Sequence, residues 1–209
     1  MDFSAARQVM VDSQVRTSDV TNRKLQSALL KVARETLLPE ERRFEAYADV
    51  SPTFAPGRQL MLPRDVGKLL QALEPVPGER ALAIGAPYAA LVMAQMGLEV
   101  VAQEADEAAA ALIGPALAEA GVHLEVAPFD APVGGPFDLI VSEGAVSARP
   151  DAWLDVLQPG GRLGMVERTG PIGKAVLYQK QNVGLSRRAL FESAAQVLAG
   201  MEAKPTFAF

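Results

Sequence analysis

From residue 80 to residue 167 the chain alternates short apolar runs with helical stretches, and this alternation limits its possible folds more than any other feature. The runs "RALAIG", "LEVVAQE", "HLEVAP", "FDLIVSE" and "RLGMVE" read as strands. Between them lie a helix at 88–96, an Ala-rich helix at 106–120, a Pro/Gly loop and a helix around Ala152–Leu157. Strands joined by crossover helices pair in parallel, because each helix carries the chain back to the same end of the sheet. The expected architecture is α/β with a doubly wound, mostly parallel sheet. The turn "QPGG" before the last of these strands has glycines that serve conformation, not phosphate binding.

The flanks differ. Residues 1–50 read as helices: Ser4 is placed to cap a first one bearing Phe3, Val9, Met10 and Val15, and Thr21 a second with the stripe Leu25, Ala28, Leu29 and Val32. "LLPEERRFEAYAD" predicts a short third helix opening with Pro39. Residues 51–62 are punctuated by Pro and Gly and read as an irregular crossing segment, followed by a helix over 63–74. Beyond residue 170, "KAVLYQKQ" reads as a strand, "SRRALFESAAQVLAG" as helix or strand, and "PTFAF" as a closing strand, with an antiparallel pair at one edge. The organisation is one compact domain: helices and crossing segment at 1–62, α/β core at 63–209. The N-terminal helices either pack on the chain's own sheet or meet a protein partner or a second copy.

Composition removes several function classes. A hydrophobic content of 49% in 209 residues supports a sizeable core. A net charge of −5 with scattered Lys and Arg gives no footprint for nucleic acid. The absence of Cys removes disulfides, thiol nucleophiles and thiolate metal sites, and fits a cytoplasmic protein. One His and no suitable carboxylate cluster leave no metal site. The charged N-terminus and the lack of a long apolar run argue against a signal peptide or a membrane span.

In a doubly wound sheet, ligands sit at the carboxyl ends of the strands where strand order reverses. Three loops should meet there, with Glu143–Gly144 at the same edge. Gly85–Tyr88 follows the first strand, and Gly85 lets backbone approach a ligand, or simply turns the chain. Glu104 ends the next strand about 19 residues later, a spacing suited to a ribose diol or to a solvated strand-end carboxylate. Phe129–Asp130 could pack on and bind an adenine, or form an Asp-Ala-Pro turn. Glu143–Gly144 follows "DLIVSE" and lines the reacting centre or caps the next segment. His123 lies at a strand start, the wrong edge for chemistry, and Met93, Met96 and Trp153 read as core.

Taken together these pieces resemble the protein-L-isoaspartate O-methyltransferases over nearly the whole chain. "VDSQVRTSDVTNRKLQSALLKVARE" is similar to the family's "VDSQLR…VTD…VL.AM..VPRE", and "PGERALAIG" to its "PGDRVLEIG". "PFDLIVSEGAVSARPDAWLDVLQPGGRLGMVE" is similar to "PFD.I.V…A…P..LL.QLKPGGRLV.PVG" in length, order and turn residues. The resemblance implies a seven-stranded, Rossmann-like, S-adenosylmethionine-dependent methyltransferase fold with extra N-terminal helices.

The departures fall at the chemistry. The family's cofactor loop reads E-I-G-T-G-S-G-Y; here it reads "AIGAPY", with Ala83 for the acid, two glycines lost, and Pro87 in place of an amide donor. The substrate loop "GQTISQP" reads "GRQLMLP": Gln59 stands for the Thr, Met61 for the Ser and Leu62 for the Gln, while Gly57 and Pro63 survive. The expectation is a divergent, weakly active or non-catalytic member acting as a binding or regulatory protein, with S-adenosylmethionine bound weakly or not at all. The alternative is an active S-adenosylmethionine-dependent protein carboxyl methyltransferase. There Glu104 would take the ribose, Asp130 the adenine, and Gly85, Tyr88 and Glu143 the reacting end.

Overall fold

In the computed structural model, which describes residues 1–203, the first fifty residues are helical or turn-like. α1 (Phe3–Met10) continues into a π-helical turn at Val11–Val15 and a 3₁₀ turn at Arg16–Ser18, and α2 (Arg23–Lys31) follows. The caps sit one or two residues earlier or later than expected. Asp2, not Ser4, accepts from the Ala5 amide, and Asn22, not Thr21, accepts from the amides of Lys24 and Leu25. The Thr21 amide donates instead to Gln71. Leu25, Ala28, Leu29 and Val32 are buried as their spacing predicts, but Val9 is 61% exposed. A 3₁₀ turn at Arg34–Leu37 follows α2, and a second at Glu40–Glu45 stands where a third helix was expected.

The crossing segment contains a small hairpin, β1 (Thr53–Ala55) and β2 (Arg58–Gln59), turning at Gly57 with φ of 68°. The alternation then runs as expected: α3 (Pro63–Leu73), β3 (Arg80–Ile84), α4 (Pro87–Gln95), β4 (Glu99–Glu104), α5 (Glu107–Glu119) and β5 (His123–Val126). β6 (Phe137–Val146), α6 (Asp151–Asp155) and β7 (Leu157–Glu167) complete it, and β8 (Gly173–Lys180) and β9 (Leu185–Ser193) add the antiparallel edge. The open question at "SRRALFES" resolves as strand because it pairs along β8. The segment "PTFAF" lies outside the described residues.

The seven strands lie in the order β5-β4-β3-β6-β7-β8-β9. The chain starts mid-sheet at β3, steps outward to β5, and returns to β6 on the other side of β3. The order therefore reverses between β3 and β6, which places the carboxyl ends of β3, β4 and β6 around one crevice. α4 is buried along Pro87–Met93. A helix apolar on every side needs cover on every side. One apolar cluster supplies it, joining Leu25 and Leu29 of α2 to Val92 and Met93 of α4, to α3 and to β3. The opposite face of the sheet packs Leu82, Ile84, Ile140 and Leu163 against Phe129 and Trp153.

Candidate functional site at the switch point

β3 ends at Ile84, and Gly85 turns the chain with φ of 57°, a left-handed conformation that costs an L-residue about 1–2 kcal/mol. Its amide donates to the Gln103 carbonyl at 2.8 Å. A Cβ at Gly85 would lie 2.8 Å from Arg58 Nη2, 3.1 Å from Leu198 and 3.3 Å from Phe129. The space over the strand end is filled by side chains from three distant segments.

Arg58 comes from the β1–β2 hairpin and reaches the end of β4. Its Nε lies 3.0 Å from both oxygens of Glu104, its Nη2 lies 2.9 Å from Oε2, and the same Nη2 donates to the Gly85 carbonyl at 3.0 Å. The two side chains are 6% and 1% exposed. Glu104 Oε1 also accepts from the amides of Ala105 and Asp106. Five donor contacts thus fall on a carboxylate with about four lone-pair positions, which leaves none over. The guanidinium carbon sits 5.3 Å from the Phe54 ring centre and 5.1 Å from that of Phe129. Within cation–π reach of two rings and seated on a carboxylate, the cation keeps the partners that make burial tolerable.

The loop after β5 brings Phe129 into place. Buried Gln103 donates to the carbonyls of Pro128 and Ala131 and accepts from the Val133 amide, which fixes the loop. The Phe129 carbonyl accepts from Trp153 Nε1 at 2.6 Å. Asp130, the residue expected to meet an adenine, lies exposed on the turn that follows, so only its neighbour Phe129 enters the crevice.

Glu143 does not follow a strand, as expected, but lies within β6, where the pairing with β7 shifts register between Val141 and Ala145. Ser142 Oγ bonds the Gly144 backbone across this irregularity. A bulge re-aims the side chain it carries, and Glu143 is turned onto the first turn of α4, where Oε1 accepts from the Ala89 amide at 2.8 Å. Burial pushes its carboxyl above the ordinary carboxylate range, opposed by Arg34 and by nearby amides. Arg34 is fully buried, donates to the carbonyls of Ala46 and Met61, and lies 4.6 Å from the centre of the Tyr88 ring. Burial draws the Arg34 guanidinium down and pushes the buried Tyr88 phenol up. Among the described residues, Arg34 Nη1, Tyr88 Oη and Glu143 Oε2 have no hydrogen-bond partner.

The structure therefore gathers Gly85, Tyr88, Glu104 and Glu143, adds Arg34 and Leu198, which sequence reasoning had not placed in the site, and brings in Arg58, which it had not paired with Glu104. A lone arginine in the apolar run "GRQLML" was the available signal for Arg58. Of the two positions that lost hydroxyls, Met61 is buried and Gln59 is exposed, lining a cleft of 530 Å³ with Arg168 and Gln196. The 810 Å³ cavity lies at the opposite, amino edge of the sheet between Thr21 and Met96, and neither space is lined by Gly85, Glu104 or Glu143. His123 is exposed at the start of β5, beside Glu125. Among the described residues no three His, Cys, Asp or Glu are grouped to hold a metal ion, and no helix is long and apolar enough to cross a membrane.

A mostly parallel seven-stranded sheet with a turn after β3 and an acid ending β4 at the switch point defines a Rossmann-like S-adenosylmethionine-dependent methyltransferase fold. A solved protein-L-isoaspartate O-methyltransferase superposes with a TM-score of 0.80 at 19% identity, over 93% of this chain and 66% of that one. The Plasmodium falciparum beta-aspartate methyltransferase, solved with S-adenosyl-L-homocysteine, gives 0.80 at 16% identity over 92% and 97% of the two chains. The chain belongs to the protein-L-isoaspartate O-methyltransferase family. The profile of the protein-L-isoaspartate(D-aspartate) O-methyltransferases matches residues 5–194. Relatives of that name are 36% identical in Methylorubrum populi, over 90% of each chain, and 33% identical in Rhodopseudomonas palustris, over 97% of this chain and 83% of the other.

Proposed function

We propose that this chain is a divergent member of its family that acts as a binding or regulatory protein, with little or no catalysis and weak or absent binding of S-adenosylmethionine. The observation that carries this reading is the Arg58–Glu104 pair closed over Gly85. A nucleoside would need both the volume over Gly85 and the oxygens of Glu104. Displacing Arg58 breaks a buried, hydrogen-bonded ion pair, which costs roughly 3–5 kcal/mol and would weaken binding by roughly two to nearly four orders of magnitude. At the other end, Glu143 already accepts from the Ala89 amide in the first turn of α4.

The substrate side supports the same reading. Methyl transfer to a carboxylate depends on holding the nucleophile in line with the methyl group. Met61 cannot donate a hydrogen bond, and Gln59 points to the surface cleft. A protein partner or a second copy would be met through the N-terminal helices and the 51–62 segment, where Val9 and Phe44 are each 61% exposed. The acidic, cysteine-free composition suits a cytoplasmic setting without nucleic acid or membrane.

The names of the relatives favour a second reading, an active S-adenosylmethionine-dependent carboxyl methyltransferase that repairs isoaspartyl residues. It requires Arg58 to leave the crevice. A radiolabelled methyl-transfer assay on an isoaspartyl peptide, with an active family member as control, separates the two. The first reading expects no turnover above background, and turnover within about tenfold of the control would establish the second.

A further inference from the structure

We propose that the 810 Å³ cleft between α2 and the turn before β3 is a docking site for an acidic segment of a partner protein, one that carries an apolar side chain between its carboxylates. The cleft lies at the amino edge of the sheet, away from the crevice over Gly85. Its occupant is therefore independent of whether that crevice is catalytic.

One wall is cationic. Lys24, Ser27, Ala28 and Lys31 recur at helical spacing and line the cleft from a single face of α2, with Arg23 at its start. The rise of the helix sets Lys24 and Lys31 about 10 Å apart along its axis. Arg23, Lys24 and Lys31 are exposed, and among the described residues none of the three forms an ion pair. Most arginines elsewhere sit on an Asp or Glu. On a chain of net charge −5 this is a local excess of positive charge. The neighbouring carboxylate of Glu79 does not neutralise it, because it is bonded to Arg162 and to the Val76 amide. Among the described residues Glu74 is the one acid that lines the cleft.

The other wall is apolar and held in place. Pro75, Val76 and Pro77 form it, with Met96 just past the end of α4, and Val76 is 54% exposed. The two prolines fix their own φ and restrict the residues before them. Gln71 ties this side to α2: its carbonyl accepts from the amides of Thr21 and Asn22, and its amide group donates to the Asp19 carbonyl. Cations and apolar patch are thus presented together before anything binds, which lowers the ordering cost of association. An inorganic anion would use the cations alone. An acidic peptide with an apolar side chain between its carboxylates uses both walls.

The test is fluorescence anisotropy of a labelled acidic peptide, Glu-Glu-Leu-Ala-Glu-Glu, titrated with the full chain. Binding should be weak, with a dissociation constant between about 10 μM and about 1 mM. It should weaken at least about fivefold between about 50 mM and about 500 mM salt, because exposed charges are screened. Lys24→Gln/Lys31→Gln should weaken it about fivefold or more, since one exposed ion pair is worth up to about fivefold. Val76→Ser, or serine for the leucine of the peptide, should weaken it about threefold. Arg188→Gln removes an exposed cation from β9, far from the cleft in the sheet order, and should leave binding unchanged. All the substituted positions are exposed, and thermal unfolding checks that each variant keeps its fold. No binding up to about 1 mM, or equal binding by the double lysine variant, would overturn the proposal. So would inorganic tripolyphosphate and the serine peptide binding as tightly as the leucine peptide, which would make the cleft a general anion site. Turnover in the methyl-transfer assay would overturn the reading of the chain as a non-catalytic member and leave this one standing.

Discussion

The guanidinium of Arg58 and the carboxylate of Glu104 meet through contacts of 2.9 and 3.0 Å at a point where both side chains are almost fully buried. The pair ties the β1–β2 hairpin to the end of β4, elements 46 residues apart. Removing one partner strands the other charge in a dry environment, so Arg58→Ala should destabilise the protein by about 3–5 kcal/mol. Arg58→Met combined with Glu104→Gln should recover most of that loss, because no unpaired charge remains. Urea denaturation of the three proteins measures both. Equal stability of Arg58→Ala and the parent would show that the pair is not closed in solution.

Gly85→Ala places a Cβ in a left-handed backbone and 2.8 Å from Arg58 Nη2. The backbone alone costs about 1–2 kcal/mol, and the displaced guanidinium adds to it. In an Arg58→Ala background the second component vanishes, so the two substitutions should be less than additive. A double-mutant cycle reads this directly, and strict additivity would mean that Gly85 and Arg58 do not touch.

The elements that bring these groups together were unequally legible in the sequence. Parallel strands and crossover helices followed from periodicity alone, because each apolar run needs cover on both faces. Glu104 was recognisable by its place at a strand end. Its partner was not, since a salt bridge between residues 58 and 104 depends on how a hairpin folds over a sheet. The bulge that aims Glu143 at α4 depends on the register of β6 against β7, which is set by neighbours in space. "LLPEERRFEAYAD" reads as helix by composition, yet none of its Glu40–Glu45 turn is buried, so no packing extends it beyond a 3₁₀ turn. β9 is strand because β8 offers it a partner, not because its residues demand it.

Glu143 should leave a signature in pH. Burial raises its carboxyl above the ordinary value of 4.5, so the folded state holds its proton more tightly than the unfolded chain does. The stability tied to this group is complete below about pH 4.5 and is lost as pH rises through the raised value. Glu143→Gln removes the titration and keeps an acceptor for the Ala89 amide. Relative to the parent, the variant should therefore gain stability as pH rises from about 4.5 to 7. Urea midpoints across that range test it. A difference that stays flat would show that Arg34 and the amides cancel the effect of burial.

Trp153→Phe removes the indole donor to the buried Phe129 carbonyl while keeping an aromatic ring. A carbonyl left unsatisfied should cost about 1–3 kcal/mol, and the loop that carries Phe129 should exchange its amide hydrogens faster. Unchanged exchange at Val133, which Gln103 also holds, would localise the effect to the Trp153 side of the loop.

The central claim is that this chain's own side chains fill the place where its family holds S-adenosylmethionine. Isothermal titration of the unsubstituted protein with S-adenosylmethionine and S-adenosylhomocysteine tests that claim most directly. A crevice closed by Arg58, Leu198 and Phe129 predicts no heat of binding, or dissociation constants weaker than about 100 μM. A sub-micromolar constant for either ligand, worth more than about 8 kcal/mol of binding free energy, would contradict it.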